Sequence, residues 1–179
     1  MFSDESRFTV DFLDRRMRVW RRRNERFQDI NVIRHDRFGG GSVMVWGGIT
    51  VAGRTALHVV AERVTGQYYR DNILSVHGRP FIFQDDNARC HRARIVTSYL
   101  TTLPWPALSP DLSPIEHVWD MLGQRLRQSQ QRSANVQELA AALQQEWDNL
   151  DQNDLRRLIR SMPRRINACF ANRRGFTRY

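Results

Sequence analysis

The chain has 179 residues, of which 28 are basic and 19 acidic, giving a formal charge of +9. All 28 basic residues are arginine, yet 41% hydrophobic and 26% charged residues describe a globular chain with a buried core, not a disordered polycation. Val43 to Ile49 is too short and too glycine-rich for a bilayer span, MFSDESRF lacks the apolar run of a secretory signal, and Cys90 and Cys169 make no disulfide framework. The expectation is a soluble, intracellular, basic domain whose natural partners are polyanions.

Residues 1–12 read as a strand, a turn around Asp4-Glu5-Ser6, and a second extended piece. Further on, Val43-Met44-Val45-Trp46 lies between Gly39-Gly40-Gly41 and Gly47-Gly48, the pattern of a strand buried on both faces. RTALHVVAERV is its expected partner, joined through an Ala52-Gly53 turn. Thr65 to His77 predicts a helix with Tyr69, Ile73 and Val76 on its inner side and Gly78 as its stop. Pro80 to Phe83 predicts a short buried strand running into Asp85-Asp86.

Arg92 to Leu100 predicts a short helix with Ile95, Val96 and Tyr99 inward. The proline-rich LPWPALSPDLSP leads into a long helix with Ile115, Val118, Trp119, Leu122 and Leu126 at helical spacing. Asn135 and Glu138 form an Asn-x-x-Glu box opening a helix through Val136, Leu139, Leu143, Trp147 and Leu150. The last amphipathic segment carries Leu155, Leu158, Ile159, Met162, Ile166 and Phe170, with Pro163 as a break or kink. The order of strands, strand–helix alternation and helices predicts a mixed α/β domain with a helical carboxy-terminal side.

Charge is unevenly placed. Arg15 to Arg26 carries +6, the segment from Leu155 to the end carries +8, and the remaining chain is therefore net −5. Basic flanks around an acidic middle suit an enzyme that must hold cations beside a phosphate backbone, although a solvated surface with a codon-driven preference for arginine gives the same count.

Three acids stand out by context. Asp4 is expected at the end of the first strand, Asp86 projects from the end of PFIFQDD, and Glu116 falls in the first turn of the helix after the prolines. Meeting at one end of a sheet, three such carboxylates would hold two divalent cations about 3.5–4 Å apart for in-line displacement at phosphorus. Mg²⁺ suits hard oxygen donors. Each acid also has a plain structural role open to it: Ser113-Pro114-Ile115-Glu116 fits a capping box, Asp4 a turn, and Asp85-Asp86-Asn87 a polar strand end. Cys90 and His91 lack a second pair at zinc-ligand spacing, and His117 reads as a surface residue.

FSDESRF at residues 2–8, DRFGGGSVMVWGGI at 36–49, FQDDNARCHRAR at 83–94 and LPWPALSPDLSPIEHVWD at 103–120 together resemble the Tc/mariner superfamily of transposases. The likeness covers nearly the whole chain. It implies an RNase H-like α/β fold, a mixed sheet flanked by helices, forming one catalytic domain over residues 1–179 with a helical tail at about 133–175. It also implies a DDE metal triad, matched motif to motif by Asp4, Asp86 and Glu116, with two Mg²⁺ ions or Mn²⁺ in their place. The implied activity is metal-dependent DNA cleavage and strand transfer in cut-and-paste transposition. Double-stranded DNA, both transposon ends and target, would be the partner, bound by a homodimer in the nucleus without membrane attachment. Arg15, Arg16, Arg18, Arg21, Arg22, Arg23, Arg156, Arg157 and Arg160 are the candidate DNA contacts.

The sequence departs from the family pattern at three places. It begins inside what matches the first catalytic strand, without the family's helix-turn-helix region. Only 29 residues separate Asp86 from Glu116, fewer than is usual in the family, and the stretch Asn72 to Pro80 is also short. The alternative function is therefore a decayed or domesticated fragment that binds DNA without chemistry.

Overall fold

The computed structural model describes residues 1–10, 41–77, 82–83, 90–98, 101–102, 112–129 and 133–171, with backbone alone at 82–83 and 101–102. Strand β1 (Phe2–Thr9) pairs antiparallel with β2 (Ser42–Ile49), and β2 pairs antiparallel with β3 (His58–Val60). A second, parallel pair joins β4 (Ile82–Phe83) to β5 (Thr101–Thr102).

The turn expected at Asp4-Glu5-Ser6 does not form. Those residues are the middle of β1, facing Gly47, Trp46 and Val45 along an unbroken ladder from Phe2↔Ile49 to Thr9↔Ser42. Turn propensity of an Asp-Glu-Ser triplet is worth less than eight paired positions on a buried neighbour. Asp4 thus sits within the strand, not at its end.

β2 is buried on both faces, as its apolar run predicts. Val43, Val45 and Ile49 join one core with Ile115, Leu139 and Leu155, whereas Trp46 joins a second with Tyr69, Ile73, Leu74 and Val96. The strand does not stop at the glycines. It runs through Gly47 and Gly48, where bulk rather than backbone freedom explains the residue choice. A Cβ on Gly47 would lie 2.6 Å from Trp147 Cη2 and 3.0 Å from Trp119 Cη2, so two indoles can pack on bare backbone. Gly41 differs: its φ of 92° is the left-handed region, and a Cβ there would stand 2.5 Å from Val136 Cγ2.

The turn after β2 closes through Thr50 N–H to the Gly53 carbonyl at 2.8 Å, followed by an Ile49↔Arg54 bridge. Thr65 caps the next helical stretch, accepting from Tyr68 N–H at 3.1 Å. α1 (Gly66–Tyr68) passes into a π-helical segment (Tyr69–Leu74) and ends as α2 (Ser75–His77). The wider winding changes the inner face. Tyr69, Ile73 and Leu74 are buried, while Val76, expected inward, is 71% exposed.

α3 (Arg94–Thr97) buries Val96, with Ile95 packed at the edge of the second core; Gly78 and Tyr99 lie outside the described residues. α4 (Pro114–Gln128) buries the five predicted apolar positions. α5 (Val136–Asp148) buries Leu139, Leu143 and Trp147, and Asn135 caps it through Glu138 N–H at 2.8 Å. Glu138 returns a bond to Ala134 N–H at 2.7 Å, one residue earlier than the expected box.

Arg54 closes the other end of α5, donating to the carbonyls of Leu150 at 2.8 Å and Asp148 at 2.5 Å. α6 (Gln152–Arg160) and α7 (Met162–Ala171) are separated at Ser161, with Pro163 in the first turn of α7, where its missing N–H costs nothing. The helical tail is present through Ala171. Its last turn departs from expectation: Arg165 is 4% exposed, with Nε on Ser161 Oγ at 2.8 Å, whereas Phe170 is 68% exposed. Ser161 keeps helical geometry, with its N–H on the Arg157 carbonyl and its carbonyl accepting from Arg165 N–H, both at 3.0 Å, so the stripe through Leu155, Met162 and Ile166 continues and Phe170 falls at its outer edge.

Candidate active site

α4 lies against β1, and this crossing builds the site. Pro114 fixes the first turn of α4, which puts Glu116 at its third position and Trp119 one turn later on the same side. Trp119 Nε1–H donates to Asp4 Oδ2 at 3.1 Å. The indole itself is 5% exposed, stacked on Trp147 with centroids 5.4 Å apart and met edge-on by Phe8 at 6.4 Å. Trp147 is held in turn by Nε1–H to the Thr55 carbonyl at 2.8 Å. The carboxylate of Asp4 therefore rests on a rigid aromatic stack standing on the bare backbone of Gly47.

Electrostatics show which acids share the site. Asp4 is pushed up to about 7, by burial first, then by the negative charges of Glu116 and Glu5, against the stabilising bond from Trp119. Two acids 112 positions apart in sequence thus repel one another across the β1–α4 contact. Such an arrangement gains most from a bound cation. The Ser113 side chain makes no capping hydrogen bond to the helix, and Glu116 is exposed.

Glu5, the next residue along β1, points to the opposite face. There His91 Nε2 lies 3.2 Å from Glu5 Oε1, and the His91 ring, 3% exposed, packs 4.5 Å from the ring of Tyr69. His91 follows Asp86 by five residues, so this contact ties the segment after Asp86 to the strand carrying Asp4. Sequence reasoning weighed His91 only as a zinc ligand. Its role as a buried partner of β1 had no local signal, because Glu5 lies 86 positions away. Trp119 was recognised only as core; its i+3 spacing from Glu116 was the available clue.

Asp86 lies outside the described residues, as do Arg15, Arg16, Arg18, Arg21, Arg22 and Arg23. Among the described residues no three His, Cys, Asp or Glu side chains gather as a metal-binding group. His117 is exposed. On α6, Arg156 donates to the Val51 carbonyl at 3.1 Å and Arg157 pairs with Asp154 at 3.2 Å, so both have structural contacts; Arg160 is exposed.

Residues 1–140 match the family model described as DDE superfamily endonuclease. The chain is 31% identical over 180 residues to the Tc3 transposase of Caenorhabditis elegans, covering 93% of this chain and 54% of that protein. It is 32% identical over 182 residues to the Tc1 transposase of the same organism, covering 94% and 66%. It thus spans between half and two thirds of these relatives. Among solved structures, the catalytic domain of Mos1 mariner transposase superposes with a TM-score of 0.67 at 22% identity, over 76% of each chain. A Mos1 paired-end complex with the left transposon end gives 0.73 at 21%, over 97% of this chain and 55% of that one. The fold is the RNase H-like α/β fold expected from the motifs.

Proposed function

The chain belongs to the DDE superfamily endonucleases, and on that premise we propose that it is the catalytic domain of a cut-and-paste DNA transposase. The observation that carries the proposal is the meeting of Asp4 and Glu116 at the β1–α4 crossing, with Asp4 raised to about 7 by burial and by its acidic neighbours. Asp86, matched by motif, completes the triad.

The donor set fits divalent cations: hard carboxylate oxygens, one of them buried and electrostatically frustrated without a counter-charge. Asp4, Asp86 and Glu116 would hold Mg²⁺ or Mn²⁺, in two ions, which supply activation of the attacking oxygen and charge stabilisation at the leaving oxygen. The protein's own part is orientation. Trp119 fixes Asp4 through its Oδ2, and the Trp119–Trp147 stack keeps that anchor from shifting. Pro114 starts α4 at the point that presents Glu116.

In the first step a water oxygen attacks phosphorus at the element end and the P–O3′ bond breaks, leaving a 3′-hydroxyl. In the second, that hydroxyl attacks a target phosphodiester, forming a new P–O bond as the target strand's own 3′-oxygen leaves. Neither step changes an oxidation state.

Double-stranded DNA is the proposed substrate, acted on by a homodimer in the nucleus. Support comes from the relatives, transposable-element transposases, and from the Mos1 complex with a transposon end. The basic runs at residues 15–26 and 156–178 supply counter-charge for phosphates. Retention of all three acids favours this reading over a binding-only fragment. The test is Mg²⁺-dependent nicking of supercoiled plasmid by the chain and its Asp4→Asn, Asp86→Asn and Glu116→Gln variants. Each variant should lose nicking while remaining folded by circular dichroism. Nicking retained by Asp86→Asn would overturn the triad.

A further inference from the structure

Separate elements meet on the face of β1 turned away from Asp4 and α4, in a cluster that no step above uses. Ser3 and Glu5 are its strand side, and Trp46 stands opposite Glu5 on β2. Tyr69 comes from the π-helical segment, with its side chain hydrogen-bonded to Ser3. His91 closes the cluster, its ring 4.5 Å from that of Tyr69 and its Nε2 3.2 Å from Glu5 Oε1. A carboxylate accepts, so the imidazole donates from Nε2. Ser3, Trp46, Tyr69 and His91 are all buried. For packing alone, apolar side chains of the same shape would serve as well or better, because a buried polar pair gives up hydration that its bond only partly returns.

The segment carrying His91 is gripped a second time. A Cβ on Gly66 would stand 2.6 Å from Ala93 Cβ, and the φ of Gly66 is not positive, so close approach rather than backbone freedom explains the glycine. The start of α1 is thus seated directly on the chain two residues beyond His91. In the other direction His91 is five residues from Asp86, and Asp86 is three from Phe83 at the end of β4. Five residues reach at most about 18 Å, so whatever holds His91 limits where Asp86 can stand.

We propose that His91 is a positioning residue for the metal site: its hydrogen bond to Glu5, backed by Tyr69, pins the chain after Asp86 to the strand that carries Asp4, and so sets how well the two aspartates share a cation. The inference rests on the transposase reading above. His91 meets neither metal nor DNA; it lies on the face of β1 opposite Asp4 and acts through the chain that leads back to Asp86. Glu5 adjoins Asp4 on β1, so the bond lands beside the acid against which Asp86 must be registered. Carboxylates that share a metal tolerate displacements of only about 0.5 Å. Loss of a group that orients a ligand typically costs about 10–100-fold in metal affinity.

The test is Mn²⁺ binding by the whole chain without DNA, with the free ion read by its electron paramagnetic resonance signal, at a temperature where circular dichroism shows each variant folded. His91→Phe keeps a ring against Tyr69 but cannot donate to Glu5, and should bind Mn²⁺ about tenfold more weakly. His91→Gln restores an amide donor near the Nε2 position and should bind within about threefold of the parent. Gly66→Ala pushes on Ala93 from outside the metal site and should weaken binding about threefold or more; adding Ala93→Gly removes the clashing atom and should restore it. A merely structural role would lower the melting temperatures of these variants and leave the Mn²⁺ affinity of the folded protein at the parental value.

Parental affinity in a folded His91→Phe, or an equal loss in His91→Gln, would overturn the assignment. If His91→Phe does not fold, the Gly66 pair decides alone: parental affinity in Gly66→Ala, or a loss that Ala93→Gly fails to restore, overturns it. Asp86→Asn in the same assay separates the two proposals. Parental Mn²⁺ affinity there overturns the triad and the role of His91 with it. A loss there beside parental affinity in folded His91→Phe overturns the role of His91 alone.

Discussion

Gly47→Ala is the sharpest test of how the catalytic strand is held. The added methyl would stand 2.6 and 2.9 Å from Trp147 ring atoms and 3.0 Å from Trp119 Cη2. Carbon atoms prefer about 3.5–4.0 Å, so rigid indoles must retreat by up to roughly 1 Å. Neither can do so freely, because Trp119 is bonded to Asp4 and Trp147 to the Thr55 carbonyl, and the two rings stack on each other. Overpacking costs about 1–3 kcal/mol, and stretching one indole bond adds about 1, while alanine returns about 0.5–1 through reduced chain entropy. The net expectation is a loss of about 2 kcal/mol, or roughly 4–8 °C in melting temperature for a chain of this size.

Urea and thermal unfolding followed by tryptophan fluorescence measure this loss directly. Gly53→Ala is the matched control. Nothing lies within 4 Å of its Cβ position and its φ is not positive, so the same change should stabilise by about 0.4–1 kcal/mol. Because Trp119 moves with Asp4, Gly47→Ala should also depress metal-dependent nicking more than its stability loss explains. Equal stabilities of Gly47→Ala and the parent would refute the packing argument.

Asp4 makes stability pH-dependent in EDTA. Its pKa rises from 3.8 to about 7 on folding, so the folded state binds the extra proton and stability falls as pH rises across that window, then levels off. The shift caps the effect at about 4 kcal/mol; solvent relaxation around a partly accessible group leaves about 2. Urea midpoints at pH 5 and pH 8 should therefore differ for the parent and much less for Asp4→Asn, and added Mg²⁺ should raise the parent at pH 8; equal pH dependence in both proteins would refute it. Asn135→Ala removes the cap on Glu138 N–H and should cost about 1 kcal/mol by urea unfolding, with no change in DNA affinity. Arg54→Ala orphans two carbonyls at the end of α5 and should cost about 1–2 kcal/mol, seen as earlier amide exchange at 147–150.

The buried faces of α4 and α5 were legible because each is a regular helix whose period projects directly onto one core. Val43 to Trp46 was legible as a doubly buried strand for a similar reason: an apolar run with no polar alternation has no solvent face. Where local rules failed, a distant contact had outweighed them. Asp4-Glu5-Ser6 became strand through its pairing with Gly47, Trp46 and Val45. Val76 turned outward because π winding from Tyr69 altered the phase, and Phe170 lies at the outer edge of its helical stripe.

The same division runs through the site. By itself the sequence determined the family, through four motifs in order, and with it the identity of Asp4, Asp86 and Glu116 as the acids to consider. It also determined the uneven charge, basic at residues 15–26 and 156–178 and acidic between. Only tertiary structure decided what surrounds those acids: that Trp119 grips Asp4, that Glu116 raises it, and that His91 ties into Glu5. The physical reason is separation along the chain. Composition and period report on residues a few positions apart, whereas a carboxylate's orientation and charge are set by partners 86 to 115 positions away, brought near only when β1 and α4 cross and His91 reaches β1.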